Sequence, residues 1–285
     1  MEQQIIKVLS LGAGVQSSTI YMMSCVGDLP RLDHAIFADT GNEPASVYSY
    51  LDWLLSQSEK YGIPIHVVKK PGGSLGDSIL NRMKTGKHSS SIPAFFMGRD
   101  GERIPTNRSC TGDYKIKPIE AKLKELLGLG PRAWWPDVLC VETWLGISVD
   151  EWIRMRCSER NCIRYWHPLI EQPWKPGDKK PDLLESPLSR SHCLNWMSNR
   201  GYPRPPKSAC IFCPYHSDYE WRNIMDNSPD EWNYSVHLDH TIRNGFAGMT
   251  QPVYLHQDLV PLDEADLNKN RDSTMDMECR GICGV

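Results

Sequence analysis

The chain has 285 residues, 40% of them hydrophobic, with 32 basic and 35 acidic side chains and a formal net charge of −3. This length predicts one large α/β domain with an appendage, or two domains, and the ordinary share of charge excludes wholesale disorder. The balance also excludes a broadly basic nucleic-acid coat. No apolar run approaches the ~18 residues that cross a bilayer, and Met1-Glu2-Gln3-Gln4 gives no basic lead into a signal peptide, so a cytoplasmic protein without membrane association is expected.

Residues 5–10 are a β-branched run ended by Gly12 and Gly14, which predicts a strand turning into a helix over 17–26. Residues 35–38 predict a second buried strand, followed by the turn residues Asp39-Thr40-Gly41-Asn42. Residues 44–61 carry Val47, Tyr50, Leu51, Leu54 and Leu55 at helical spacing, and 63–68 predict a third strand. Such alternation indicates βαβ units and a mainly parallel sheet, whose ligand site lies beyond the carboxyl ends of the strands. Residues 12–18 and 39–43 fall there. Residues 71–113 read as a loop-rich excursion, 114–127 as a helix and 138–145 as a further strand. From about 157 onward Pro and Trp are dense, periodicity is weak and cysteines recur. The expectation is a three-layer, doubly wound α/β domain over 1–154 and a Cys-rich C-terminal region over 155–285.

Ser10-Leu11-Gly12-Ala13-Gly14-Val15-Gln16-Ser17-Ser18 joins the first strand to its helix. Glycines allow a tight turn, helix-terminal N–H groups attract an anion, and paired hydroxyls add donors for phosphate oxygens. The loop lacks the lysine of a Walker motif. Taken alone it leaves open a plain strand–helix turn or a dinucleotide site with Asp39 at the ribose. Farther on, Leu145-Gly146-Ile147-Ser148-Val149-Asp150-Glu151 precedes Arg154 and Arg156, which by themselves read equally as a solvated helix face.

The ten cysteines are not needed as staples at this length, and in a reducing compartment they point to metal or redox chemistry. Cys210-Ile211-Phe212-Cys213-Pro214 has the spacing for two thiolates on one metal or cluster, and Cys110 and Cys193 lie upstream. Cys157-x4-Cys162 is a second pair able to replace Cys110 or Cys193, while Cys25 and Cys140 read as buried structural thiols. Cys279 and Cys283, in a glycine-containing tail, suit thiol exchange or plain structure. Arg99, Arg103, Arg108, Lys115 and Lys117 form one basic group, and Arg200, Arg204 and Lys207, interleaved with Trp196 and Tyr202, a second one flanking the Cys-x-x-Cys pair. The mixture suits phosphate contact with base stacking, a sulfonucleotide, or a solvated face.

The paired-serine glycine loop, Phe37-Ala38-Asp39-Thr40-Gly41-x-Glu43, Cys110-Thr111-x-x-Tyr114-Lys115-Ile116-x-Pro118 and Lys207-Ser208-Ala209-Cys210-x-Phe212-Cys213-Pro214 together resemble the PP-loop ATP pyrophosphatases. The likeness is to the branch containing phosphoadenosine-phosphosulfate (PAPS) reductase, and it spans residue 7 to about 225. The chain departs from that pattern with Gly12 in place of a serine and Gln16 in place of an aspartate. The resemblance implies an adenine nucleotide alpha-hydrolase-like fold, with ATP held by Ser10, Gly12, Gly14, Gln16, Ser17, Ser18 and Gly146. It implies that Asp39 meets Mg2+ or ribose and that Arg154 or Arg156 meets the developing pyrophosphate charge. It further implies a [4Fe-4S] cluster on Cys110, Cys193, Cys210 and Cys213, with Zn2+ on the same thiolates as the alternative. Glu278-Cys279-x-Gly281 looks like a variant of the reductases' C-terminal nucleophile, which makes Cys279 or Cys283 a persulfide carrier or resolving thiol. The implied activity is adenylation in sulfur transfer to a nucleic acid, as in DNA phosphorothioation or tRNA thiolation, with a cysteine desulfurase as donor and a homodimer as one option for assembly. Two alternatives stand beside it: a thiol-dependent reductase of an adenylyl sulfate that releases sulfite, and a zinc-stabilised nucleic-acid-binding module without catalysis, which Gln16 keeps open.

Overall fold

The computed structural model describes residues 5–86, 90–175 and 177–269. Strands β1 (Ile6–Leu11), β2 (His34–Asp39) and β3 (Ile65–Lys69) form half of a parallel sheet, and β4 (Phe95–Met97) pairs antiparallel with β5 (Arg103–Pro105) outside it. Strands β6 (Val141–Trp144) and β7 (Ile163–Trp166) complete the sheet in the order β3-β2-β1-β6-β7. The fifth strand therefore comes from beyond residue 155.

Alternation along each strand sorts side chains to two faces. Leu9, Leu11, Phe37, Trp144 and Trp166 enter one core, where the two indoles meet edge to face at 4.5 Å. That core is closed by α1 (Val15–Val26), α2 (Ala45–Tyr61) and, from the C-terminal region, α5 (Arg190–Asn199). Val8, Ile36, Val141 and Ile163 face the other way, onto Leu123 of α4 (Lys117–Leu126). Helices on both faces of a parallel sheet give the expected three-layer α/β architecture.

The excursion over 71–113 is more ordered than its composition suggests. It holds α3 (Leu75–Thr85) and the β4–β5 hairpin. Ser74 caps α3 by accepting from the Asp77 N–H, and Gly86 ends it at φ 67°. A second core joins Leu75 and Ile79 of α3 to α6 (Asp218–Asn227) and α7 (Pro229–Ile242) through Trp221, Ile224 and Leu238. The helix expected over 114–127 begins instead with a π-helical turn, Gly112–Ile116, that runs into α4. Among the described residues no helix is long and apolar enough to cross a membrane.

Candidate functional site

From β1 the chain winds outward through β2 and β3, then returns to lay β6 on the other side of β1. The crevice between the carboxyl ends of β1 and β6 is thus the topological switch point, where an open α/β sheet receives a ligand. After β1 the backbone turns sharply, with Ala13 in the left-handed region at φ 54°. Gly14 then opens α1 with no side-chain cap and no acidic residue in the first turn. Its leading N–H groups are left for an external anion. Ser17 Oγ braces the turn by accepting from the Gly12 N–H at 3.2 Å. After β6, Gly146 crosses directly over this turn, where a Cβ would stand 2.8 Å from Ser17 N and 3.0 Å from its Cα. Gln16 Nε2 donates to Ser148 Oγ at 3.2 Å, so this side chain ties the two loops together.

Gly12, Gly14, Gln16, Ser17 and Gly146 line a cavity of about 150 Å³ that also receives Arg154, Arg190 and Lys207. Cys110, Cys210 and Cys213 line the same cavity. The loop after β2 positions these thiols: Thr40 Oγ1 lies 3.2 Å from Cys210 Sγ, and the Asn42 carbonyl accepts from the Ile211 N–H at 2.9 Å. Cys213 N–H donates to the Cys210 carbonyl at 2.9 Å, which closes a tight turn between the paired cysteines. Cys110 lies two residues before the π-helical turn, a local distortion frequent at functional sites. That turn carries Lys115 inward to 3.8 Å from the buried carboxylate of Glu43.

Burial pushes Cys110 and Cys210 up and Cys213 up to about 11. Burial pulls Lys115 down, but Glu43 and the three thiols outweigh it, and its ammonium is held above the usual value. A fixed cation beside three thiols offsets charge when they bind as thiolates. Among the described residues, no group of three or more His, Cys, Asp or Glu side chains converges so as to hold a metal ion.

Other expected site residues lie elsewhere. Cys193 is not brought to the three cavity cysteines: it is fully buried in α5 against α1, and burial raises it to about 12. Asp39 does not line the cavity. Its carboxylate is committed to the Gly41 N–H at 2.7 Å, the Tyr48 hydroxyl at 2.8 Å and Lys69 at 2.8 Å. Ser10 and Ser18 are buried outside the cavity lining, and Arg156 is exposed outside it. Arg154 lines it and pairs with Glu151 at 2.7 Å. Cys162 is buried under the sheet beside Cys140, whose thiol meets its carbonyl at 3.4 Å, while Cys157 is exposed. Cys25 packs half-buried against the α1 core. Cys279 and Cys283 lie outside the described residues.

The second basic group divides. Arg200 pairs with Asp28 at 2.7 Å and stacks on Trp196, and Tyr202 lies against Trp53, all beyond the carboxyl end of α1 and away from the Cys-x-x-Cys loop. Lys207 alone reaches the cavity. Arg190 was not among the expected residues; the Ser189–His192 capping box that opens α5 places it there.

Lys207 is anchored by Glu220, at 2.6 Å, which also accepts from the Ser217 N–H at 2.8 Å in the capping box of α6. Burial alone would raise Glu220, but His216 and Lys207 hold its carboxyl far below the usual range. The stability it contributes is therefore complete above the unfolded carboxyl value of about 4.3 and is lost as pH falls from there through the lower folded value. Glu220→Gln is expected to cost about 1–2 kcal/mol at neutral pH. It should also flatten the acid limb of the stability profile, as denaturant titrations on either side of about pH 4 would read.

No protein-family model matches the chain, and no curated protein matches it. Among solved structures the chain is similar to the U34-tRNA thiolase NcsA from Methanococcus maripaludis with its [4Fe-4S] cluster, at 12% sequence identity and a TM-score of 0.40, over 84% of this chain and 72% of that one.

Proposed function

We propose that the protein is a PP-loop-type ATP pyrophosphatase that adenylates a nucleic acid for sulfur transfer, in tRNA thiolation or DNA phosphorothioation. The observation that carries this reading is that the glycine turn and three cysteines line one cavity at the switch point of the sheet. The bare start of α1 would meet the phosphates of ATP, with Mg2+ entering on their oxygens. Arg154, Arg190 and Lys207 would stabilise the pyrophosphate charge as an acceptor oxygen attacks the α-phosphorus and pyrophosphate leaves. A sulfur nucleophile then displaces AMP.

Cys110, Cys210 and Cys213 would hold an iron–sulfur cluster. Their donor set is soft and borders one cavity, which suits a cluster and zinc alike. The likeness of the Cys110 and Cys-x-x-Cys motifs to iron–sulfur members of the PP-loop enzymes supports the cluster. When bound through three cysteines, such a cluster offers an iron open to a sulfur ligand. Lys115 would balance thiolate charge, with Glu43 fixing its position. A cysteine desulfurase is the donor class this chemistry calls for.

The test is anaerobic purification followed by assay of pyrophosphate release from ATP and of sulfite release from an adenylyl sulfate. Brown protein with iron and labile sulfide in equal amounts, releasing pyrophosphate in the presence of a nucleic acid, is expected. Sulfite without ATP consumption would establish the reductase instead, and a colourless zinc protein forming neither product would establish the binding module.

A further inference from the structure

The turn that carries Arg154 is inverted relative to an ordinary surface segment. Within the 3-10 turn Val149–Arg154, two of the three charged side chains face inward: Glu151 and Arg154 are 10% and 14% exposed, pair at 2.7 Å and line the cavity, while Asp150 is exposed. The large apolar side chains face outward, with Trp152 65% and Ile153 76% exposed. Folding does not require this, since polar groups cost free energy to bury and an indole gains by being covered.

The turn is also held rigidly. The Val149 N–H donates to the Leu188 carbonyl at 2.9 Å, and the Asp150 carboxylate accepts from the Arg190 N–H at the start of α5. Ser148, just before the turn, accepts from Gln16 of the glycine loop. These bonds tie the backbone of the turn to the site at which ATP would react, and Trp152 projects from it into solvent. An indole has only two side-chain torsions to order on binding, so stacking on it costs little. Charge around it favours an anion: Arg156 is exposed two residues past the turn and Arg190 lines the cavity beside it, while the nearby negative charge of Asp150 is turned onto the start of α5.

We infer that Trp152 is a stacking platform for an unpaired nucleobase of the acceptor, with Arg156 and Arg190 taking the adjoining phosphates. The inference rests on the reading of the protein as a nucleic-acid-modifying enzyme, and it deepens that reading: the acceptor presents a single-stranded or flipped-out nucleotide. A base in duplex keeps its faces covered by neighbours and cannot lie on the indole.

The experiment measures binding of labelled single strands, DNA and RNA of matched sequence, to the full-length protein and to Trp152→Ala, Trp152→Phe and Trp134→Ala. Trp134 is 94% exposed in the segment leading into β6 and serves as the control indole. Trp152→Ala is expected to lose roughly ten- to hundredfold in affinity, from the usual worth of one stacked base. Phenylalanine should restore most of it, Trp134→Ala should bind like wild type, and blunt duplex should compete poorly. Loss confined to DNA or to RNA identifies the acceptor's sugar and supports the platform equally. Unchanged affinity in Trp152→Ala, or equal loss in Trp134→Ala, overturns it. A wild-type protein that releases pyrophosphate from ATP yet binds no single strand overturns the platform alone; absence of pyrophosphate release overturns the reading beneath it.

Discussion

Cys210→Ser is expected to give a colourless protein whose iron content and sulfur-transfer activity fall below detection. Cys210 is tied into the site, 3.2 Å from Thr40 Oγ1 and on the loop pinned to Asn42. A serine hydroxyl is a hard, weakly acidic replacement for a thiolate, and two remaining cysteines cannot anchor a cluster that needs a third. Cys110→Ser and Cys213→Ser should behave alike. The decisive contrast is Cys193→Ser. Its side chain is fully buried against Thr19 in the core between α1 and α5, so that variant should keep its colour and instead lose about 1–3 kcal/mol of stability from a hydroxyl placed among apolar groups. Visible absorption, iron analysis and a denaturant melt on the four variants separate the two cases. Equal loss of colour in all four would restore Cys193 to the ligand set.

That contrast also shows where sequence carries information and where it stops. The split of Leu9 and Leu11 from Val8, and of Phe37 from Ile36, is written in the period-two pattern, so four sheet strands and the three layers were legible, while β7 fell in the weakly periodic stretch beyond 155. The glycine turn was legible too, because a strand, two glycines and a helix in that order leave little choice of where the turn must sit. Cys193, expected among the ligands, is not brought to the cavity, and a local signal pointed to the core. It and Met197, at i and i+4, are the buried stripe of α5, a pattern that marks core before it marks a ligand.

Asp39 is different, because no local signal tells what surrounds it. The β2–β3 register sets Lys69 directly opposite, and Tyr48 arrives from the first turn of α2, so the acid is saturated by partners that only pairing and packing define. The excursion over 71–113 failed through composition: its Gly, Ser and basic residues outweighed the Ser74 and Gly86 caps of α3. The union of Cys110 with Cys210 and Cys213 spans a hundred residues of chain. It came from family resemblance, since spacing alone does not place an upstream cysteine beside the pair.

Gly146→Ala should be the most damaging single methyl in the nucleotide half of the site. The added Cβ meets backbone, Ser17 N at 2.8 Å and Cα at 3.0 Å, with no flexible side-chain end to move aside. Either the β6 loop lifts or the start of α1 shifts, and both disturb the N–H groups that would meet phosphate. Overpacking of this kind costs about 1–3 kcal/mol, and a displacement near 1 Å at a positioned site lowers turnover on the order of a hundredfold. Gly14→Ala is the matched control for stability. Its Cβ would stand 3.5 Å from Ser208 Cβ, an ordinary contact, and its backbone at φ −91° and ψ −176° suits any residue. Thermal melts should therefore show Gly146→Ala destabilised and Gly14→Ala close to wild type, with ATP affinity measured alongside by calorimetry. If Gly146→Ala melts and binds ATP like wild type, the close crossing of the β6 loop over the glycine turn does not constrain the site, and the phosphate-binding role of that turn loses its main structural support.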